Sequence, residues 1–287
     1  MYSNNAKSEQ STIYRKGSRP TGQTWEVYVG DALTSLKKIE SGTVDCIITS
    51  PPYFWLRDYK VEGQLGLEDG VSEYLKKIIE VTTELFRVLK PTGVFFLNIG
   101  DTYYSGKGES KGKDKKSSKR RFGLRAVDKS GGMDIGIKPK SLIGIPWRVV
   151  IEMLKFKWVL RSSIIWYRKN ALPESVKDRP KRSYENLFMF SKSKSYYFDR
   201  SELDNQEQED MWTISARPEH SKLGTAPFPD ELVKRCISIG CPENGVILDP
   251  FSGSGTTLRV GLDMGRSVIG IELNESFANH ILRMIGD

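Results

Sequence analysis

The chain has 287 residues, 38% of them apolar and 28% charged, enough for one large α/β unit or two small ones. It has no apolar run of about 18 residues and no apolar stretch behind a basic start, so neither a membrane span nor an export signal is expected. Of the net charge of +8, the segment 104–140 supplies all, with 12 Lys/Arg against 4 Asp/Glu. A basic segment on a near-neutral body points to a polyanion contacted locally.

Residues 1–22 are polar and aperiodic and read as a loose tail, with 23–287 as a single domain. Thr24–Leu33 begins as a strand that ends at Gly30-Asp31, and Ala32–Ile39 follows as a short helix. Thr43–Ser50 is the next strand. Val71–Lys90 places Val71, Tyr74, Leu75, Ile78, Ile79, Leu85, Phe86 and Leu89 at helical spacing, and Pro91-Thr92-Gly93 stops it. Gly93–Asp101 is a continuous apolar strand of the buried kind.

The Gly/Lys/Ser-rich segment 104–140 lacks core formers and is expected to be a mobile insert that contacts the polyanion. Leu142–Lys155 is predicted as a helix and Trp158–Lys169 as a strand. Ala171–Ser183 is a loop, Tyr184–Ser193 a strand, and Ser195–Asp199 an edge hairpin partner. Pro229 opens a helix that runs to Ile239. Strand, glycine loop, helix, strand and closing helix complete the chain from Gly245 to Ile285. The alternation predicts an α/β doubly wound, mostly parallel, Rossmann-like sheet.

Cys46, Cys236 and Cys241 have no metal or redox spacing, and their odd number argues against a disulfide framework. His220 and His280 are too few for a histidine metal site, so no metal is expected.

The segment Val246–Leu273 is a βαβ unit. Gly253 and Gly255 let the backbone turn and approach a ligand, and the helix from Thr256 aims its N-terminus there. Glu272 ends the next strand, 17 residues after Gly255, where a carboxylate can accept hydrogen bonds from a ribose. No lysine follows Gly255, which excludes a P-loop. Leu258 stands where a dinucleotide fingerprint needs its third glycine. A nucleoside cofactor without a pyrophosphate remains. Separately, Asp45–Thr49 ends in Ser50-Pro51-Pro52-Tyr53, a stiff turn that carries a hydroxyl on one side and a ring on the other.

Together these two stretches, Asp249–Thr257 (DPFSGSGTT) and Thr49–Tyr53 (TSPPY), resemble the S-adenosylmethionine-dependent amino-methylating DNA methyltransferases. The catalytic motif precedes the cofactor loop, as in the family's permuted β-group, and the likeness runs from about Trp25 to the C-terminus. The resemblance implies S-adenosylmethionine as cofactor and double-stranded DNA as partner, in a cytoplasmic setting. It admits a cognate restriction endonuclease as a functional partner. Position by position, it puts Asp31 near the adenine and Glu272 on the ribose. Asp249, Phe251, Gly253, Gly255 and Thr256 line the cofactor, and Thr225 and Phe228 lie beside its methionine part. Between the strand after Arg182 and the Gly224–Leu232 segment only 197–222 is available for recognition.

The implied reaction methylates an exocyclic amino nitrogen whose lone pair is delocalised into the base. Two acceptors on the two amino hydrogens localise that pair and aim it. Ser50 Oγ is one and the Pro51 carbonyl, fixed by proline's locked φ, the other. Tyr53 offers a stacking face for a flipped base, and Pro52 completes the turn. In the family, Ser-Pro-Pro mostly accompanies cytosine-N4 methylation and Asp-Pro-Pro adenine-N6. Carbon-5 chemistry needs a nucleophilic cysteine, and Cys46 and Cys241 are poorly placed for it. Adenine-N6 methylation, RNA or protein methylation, and a catalytically silent DNA-binding protein are the competing readings.

Overall fold

The computed structural model describes residues 13–104, 134–169, 176–201, 209–216 and 228–286. Among these residues, nine strands form one sheet in the order β1-β2-β9-β8-β3-β4-β6-β5-β7. They are β1 (Ile13–Ser18), β2 (Thr24–Val29), β3 (Val44–Thr49), β4 (Leu89–Ile99), β5 (Val159–Tyr167), β6 (Tyr184–Ser191), β7 (Met211–Thr213), β8 (Val246–Asp249) and β9 (Ser267–Glu272). The helices are α1 (Ala32–Leu36), α2 (Val71–Val88), α3 (Ile145–Phe156), α4 (Asp230–Gly240), α5 (Thr256–Asp263) and α6 (Glu275–Ile285). Strands β2, β9, β8, β3 and β4 are parallel, whereas β1 and β6 run against their neighbours. The doubly wound, mostly parallel α/β class expected from the sequence is the observed one.

All six residues of β3 are buried, as expected for a central strand covered on both faces. Alternate side chains feed two cores. Phe95, Leu97 and Ile99 of β4 and Phe188 and Phe190 of β6 join α2 and α3 on one face. Val94, Phe96, Leu187 and Met189 join α4, α5 and α6 on the other. Helix α2 buries Val71, Tyr74, Ile78, Val81, Leu85 and Val88, one stripe at helical spacing.

Asp101, just past β4, ties the two halves of this layer. Its carboxylate accepts from Thr102 N (2.8 Å), Gly144 N (2.9 Å) and Ile145 N (3.1 Å), and so caps α3 across the basic insert. Burial raises its pKa against the pull of those three donors.

Four expectations need correction. The tail assigned to 1–22 contains β1, whose six residues pair antiparallel with β2 from Ile13↔Val29 to Ser18↔Thr24. Gly17 there lies flat on the Trp25 indole, which Gly286 approaches from the C-terminal end. Ser195–Asp199 forms no hairpin; Tyr197 N donates to Thr92 O and Asp199 N to Ile239 O, which ties it to the start of β4 and to α4. The edge beside β5 is taken by β7, inside the expected recognition segment 197–222. The helix from Val71 ends at Val88, and β4 starts at Leu89 with Lys90–Gly93 bulged between the pairs Val44↔Leu89 and Cys46↔Val94. Of the insert, 105–133 lies outside the described residues, as do 202–208 and 217–222 of the recognition segment.

Among the described residues no helix is long and apolar enough to cross a membrane. Deleting residues 1–18 removes the β1 cover from the edge of β2. Six cross-strand positions at roughly 0.2–1 kcal/mol each suggest a loss of about 1–3 kcal/mol in urea unfolding, with concentration-dependent aggregation. An unchanged midpoint would show β1 to be dispensable.

Candidate active site

Strands β3 and β8 are neighbours in space, paired at Cys46↔Ile247 and Ile47↔Leu248, although they lie far apart in the chain. From β8 the chain moves outward to β9, and from β3 it moves the other way to β4. Their C-terminal ends therefore flank the switch point of the sheet, where open α/β sheets hold ligands. A cavity of about 1760 Å³ opens there. It is lined by Ser50, Pro51, Pro52 and Tyr53 after β3, and by Asp249, Phe251, Gly253 and Thr256 around the β8–α5 turn. Asp31, Phe228 and Glu272 also line it.

Thr49 and Asp249 join the two motifs. Thr49 Oγ1 donates to Asp249 Oδ1 at 2.7 Å, and Phe251 N donates to the same oxygen at 3.1 Å. Both side chains are buried. The carboxylate of Asp249 thus braces the strand end that carries Ser50 and the turn that carries Gly253. Burial raises its pKa to about 6, with the Thr49 and Phe251 donors pulling the other way.

Glu272 closes the glycine turn. Its Oε2 accepts from Gly253 N at 2.7 Å and its Oε1 from Asn274 N at 2.8 Å. Burial raises its pKa to about 7, opposed by those backbone donors and reinforced by nearby Asp249. Gly253 has φ +54, and a Cβ there would meet only Phe251 O, at 3.9 Å. Gly255, expected against the cofactor, instead faces the protein. Its φ is +82, and a Cβ there would meet Ile281 and Met284 at 2.8 Å. It lets α5 pack on α6, so its contribution to the site is through the turn. Asp31 caps α1, accepting from Thr34 N at 2.8 Å, and stays exposed beside the cavity. Thr225 lies outside the described residues.

The Ser-Pro-Pro-Tyr turn is held from several sides. Tyr74, wholly buried in α2, donates its hydroxyl to Pro52 O at 2.9 Å. Trp55 N donates to Gly66 O at 2.6 Å, and Trp55 Nε1 to Glu68 O at 2.5 Å. Phe54 is buried with its ring 5.3 Å from that of Tyr74, so Phe54 and Trp55 are packing residues.

Tyr53 is more constrained than a simple stacking surface. Its Oη lies 2.8 Å from Asn98 Oδ1 and 2.7 Å from Glu185 Oε2, so one hydrogen is shared between two acceptors. Asn98 Nδ2 donates to Asn186 O at 3.0 Å, and Arg168 pairs with Glu185 at 2.8 Å. Burial and the Glu185 charge hold the phenol well above its usual pKa, so it is a neutral donor. The ring edge rests on Gly100, where a Cβ would come within 3 Å of it.

Asn98, Arg168 and Glu185 were not among the expected site residues, nor were the cavity-lining Leu33, Tyr59 and Phe277. Asn98 had a sequence signal: an amide in the otherwise apolar run Val94–Ile99. Cys46, Cys236 and Cys241 are buried in the opposite core and none lines the cavity. Burial raises all three thiols, Cys241 to about 12, which removes them as carbon-5 nucleophiles. Among the described residues no cluster of His, Cys, Asp and Glu can hold a metal.

Asp31, Asp249 and Glu272 make the glycine-loop end of the cavity acidic, and 249–257 contains no lysine or arginine. That end suits a cationic nucleoside, and a sulfonium-bearing one meets both needs. The switch-point cavity, the glycine turn and the carboxylate of β9 define a Rossmann-like methyltransferase. Residues 44–283 match the DNA methylase family. The chain is 42% identical over 258 residues to the Type II methyltransferase M.XycI of Xanthomonas campestris pv. cyanopsidis, covering 88% of this chain and 84% of that one. Its fold matches the PvuII DNA methyltransferase (cytosine-N4-specific) with a TM-score of 0.71 at 20% identity, over 95% of this chain and 91% of that one. It also matches a putative DNA modification methylase of Thermus thermophilus complexed with S-adenosyl-L-methionine. There the TM-score is 0.60 at 25% identity, over 90% and 92% of the two chains. The chain belongs to the DNA methylase family: it is an S-adenosylmethionine-dependent DNA amino-methyltransferase of the restriction–modification type.

Two consequences of the buried carboxylates are measurable. An ionised carboxylate accepts hydroxyl hydrogens and attracts a cation better than a neutral one, and Glu272 lines the glycine-loop end of the cavity. Cofactor affinity should therefore rise with pH through about 7, by up to tenfold per unit below it. Calorimetric titration between pH 6 and 8.5 should lose this dependence in Glu272→Gln. For Asp249, a folded pKa above the ordinary 3.8 means that stability falls as pH rises through about 6. Thr49→Val removes a donor to the ionised form. It should cost about 1–3 kcal/mol in urea unfolding at pH 8 and much less at pH 5. An equal cost at both pH values would refute the role given to this hydrogen bond.

Proposed function

We propose that the protein methylates the exocyclic N4 amino group of a flipped cytosine in duplex DNA. The observation that carries this reading is Ser50, a neutral hydroxyl standing at the cavity beside the Pro51 carbonyl. The structural neighbour described as cytosine-N4-specific supports the choice of base. Bound S-adenosylmethionine supplies an electrophilic methyl carbon at this end of the cavity. Asp31 is assigned to its adenine, Glu272 to its ribose, and Asp249, Phe251, Gly253 and Thr256 to its surroundings. Phe228, half-buried on the cavity wall before α4, and Thr225 are assigned to its methionine part.

The chain's own residues then orient the nucleophile. Ser50 Oγ and the Pro51 carbonyl accept the two amino hydrogens, which localises the nitrogen lone pair. The carbonyl of Pro52 is already occupied by Tyr74, which fixes the turn and leaves Pro51 to the base. Tyr53 presents its ring to the base while Asn98 and Glu185 hold its hydroxyl. Orientation of this kind is worth up to roughly 7–11 kcal/mol in favourable cases. Stacking on the ring returns about 1–3 kcal/mol towards the cost of flipping.

Ser50→Ala should lower kcat by about 100-fold while the cofactor Kd changes little. Unmodified genomic DNA methylated by the wild type should yield N4-methylcytosine when digested to nucleosides and weighed. N6-methyladenine as the sole product would replace cytosine with adenine in this reading.

A further inference from the structure

Two basic segments, distant in sequence, meet at the outer end of the cavity. One is the β5–β6 loop, whose residues 176–182 (Val-Lys-Asp-Arg-Pro-Lys-Arg) hold four cations and one acid. The other is the C-terminal end of the insert, where Lys140 stands. Lys140 Nζ lies 2.7 Å from Asp178 Oδ2. The Arg179 guanidinium sits 3.9 Å from the centroid of Tyr103, and Arg182 donates to the Asp101 carbonyl. Lys181 is exposed on the same lip.

Large apolar side chains are exposed beside these cations. Leu142 is 45% exposed, Trp147 46% and Tyr184 50%, and all three line the cavity mouth. Trp147 stands in the first turn of α3, 5.1 Å from Phe188 and edge-on to it, so one side is packed and the other open. Open rings beside cations suit a ligand with both flat faces and negative charge. The cavity's opposite polarity orients such a ligand, because its inner end carries Asp31, Asp249 and Glu272. Its volume of about 1760 Å³ exceeds the roughly 300–1,000 Å³ of a small-molecule site and leaves room for an extruded nucleotide beside a cofactor.

We propose that this lip seats the DNA strand that carries the target nucleotide, with Arg179 and Lys181 on flanking phosphates and Trp147 and Tyr184 on bases left unstacked by the flip. The proposal rests on the DNA methyltransferase reading of the cavity and adds the surface that holds the strand. None of the four residues lies among those assigned to the cofactor.

The test uses the full chain with S-adenosylmethionine. Binding to a mixed-sequence duplex of about 30 base pairs is followed across a salt series for the wild type and Arg179→Ala/Lys181→Ala. The double variant should flatten the log–log salt slope by about 2, since each phosphate contact contributes about 0.9. Trp147→Ala should lower kcat/KM for unmodified genomic DNA at least tenfold, mainly through KM, and Trp147→Phe should restore most of it. The cofactor Kd measured without DNA should stay at the wild-type value in all three. An unchanged slope together with an unchanged KM overturns the proposal, as does a cofactor Kd that moves as far as the DNA terms. Label transfer by the wild type separates the two levels. Transfer to RNA or protein but never to DNA removes the underlying reading. Transfer to DNA with variants that behave as wild type removes only the lip.

Discussion

The hydrogen bond from Thr49 to Asp249 is the contact on which the site depends. It spans 200 residues of chain and 2.7 Å of space. Pairing of β3 with β8 brings the two strand ends together, but pairing alone sets only their register. The buried carboxylate sets their relative position, because its partners are the residue before Ser50 and the backbone of the glycine turn. Catalysis by orientation needs the acceptor group and the methyl donor fixed in one frame. Here that frame is a single side chain.

Around this point the cavity divides by charge and by stiffness. The inner end is acidic and lined by backbone turns closed by Glu272. The middle is stiff, with Pro52 tied to Tyr74 and Tyr53 tied to Asn98 and Glu185. The outer end is cationic and aromatic. A cationic cofactor, a neutral base and an anionic backbone fit these zones in that order. The buried acids have a cost, since burial holds Asp249 and Glu272 near pKa 6 and 7 and so works against their ionisation.

Much of this was legible in the sequence because it rests on local rules. The apolar runs of β3, β4 and β6 announced central strands, and the glycine turn and the double proline announced what their ends carry. Features that arise from pairing between distant segments were not legible. Residues Ile13–Ser18 include two cations and a glycine, and only the edge of β2 makes them a strand. The three residues of β7 are too few for any period to show. Gly253 and Gly255 look alike in sequence, yet one faces the cavity and the other faces α6, a difference set by helix packing. Tyr53 was legible as an aromatic following the double proline, but its restraint by Glu185 depends on β4 and β6 lying side by side.

The Trp25 indole has one further implication. Gly17 of β1 lies against it, and a Cβ added at Gly286 beyond α6 would meet the same ring at 3.9 Å. The first strand and the last helix therefore converge on one side chain, at the sheet edge remote from the lip. The opening end of β1 lies elsewhere, since Ile13 pairs with Val29, next to Gly30 and Asp31 on the cavity wall. Strand β1 therefore runs the length of β2 from the cavity end to the indole, and Trp25 is where that cover is locked against the residues after α6.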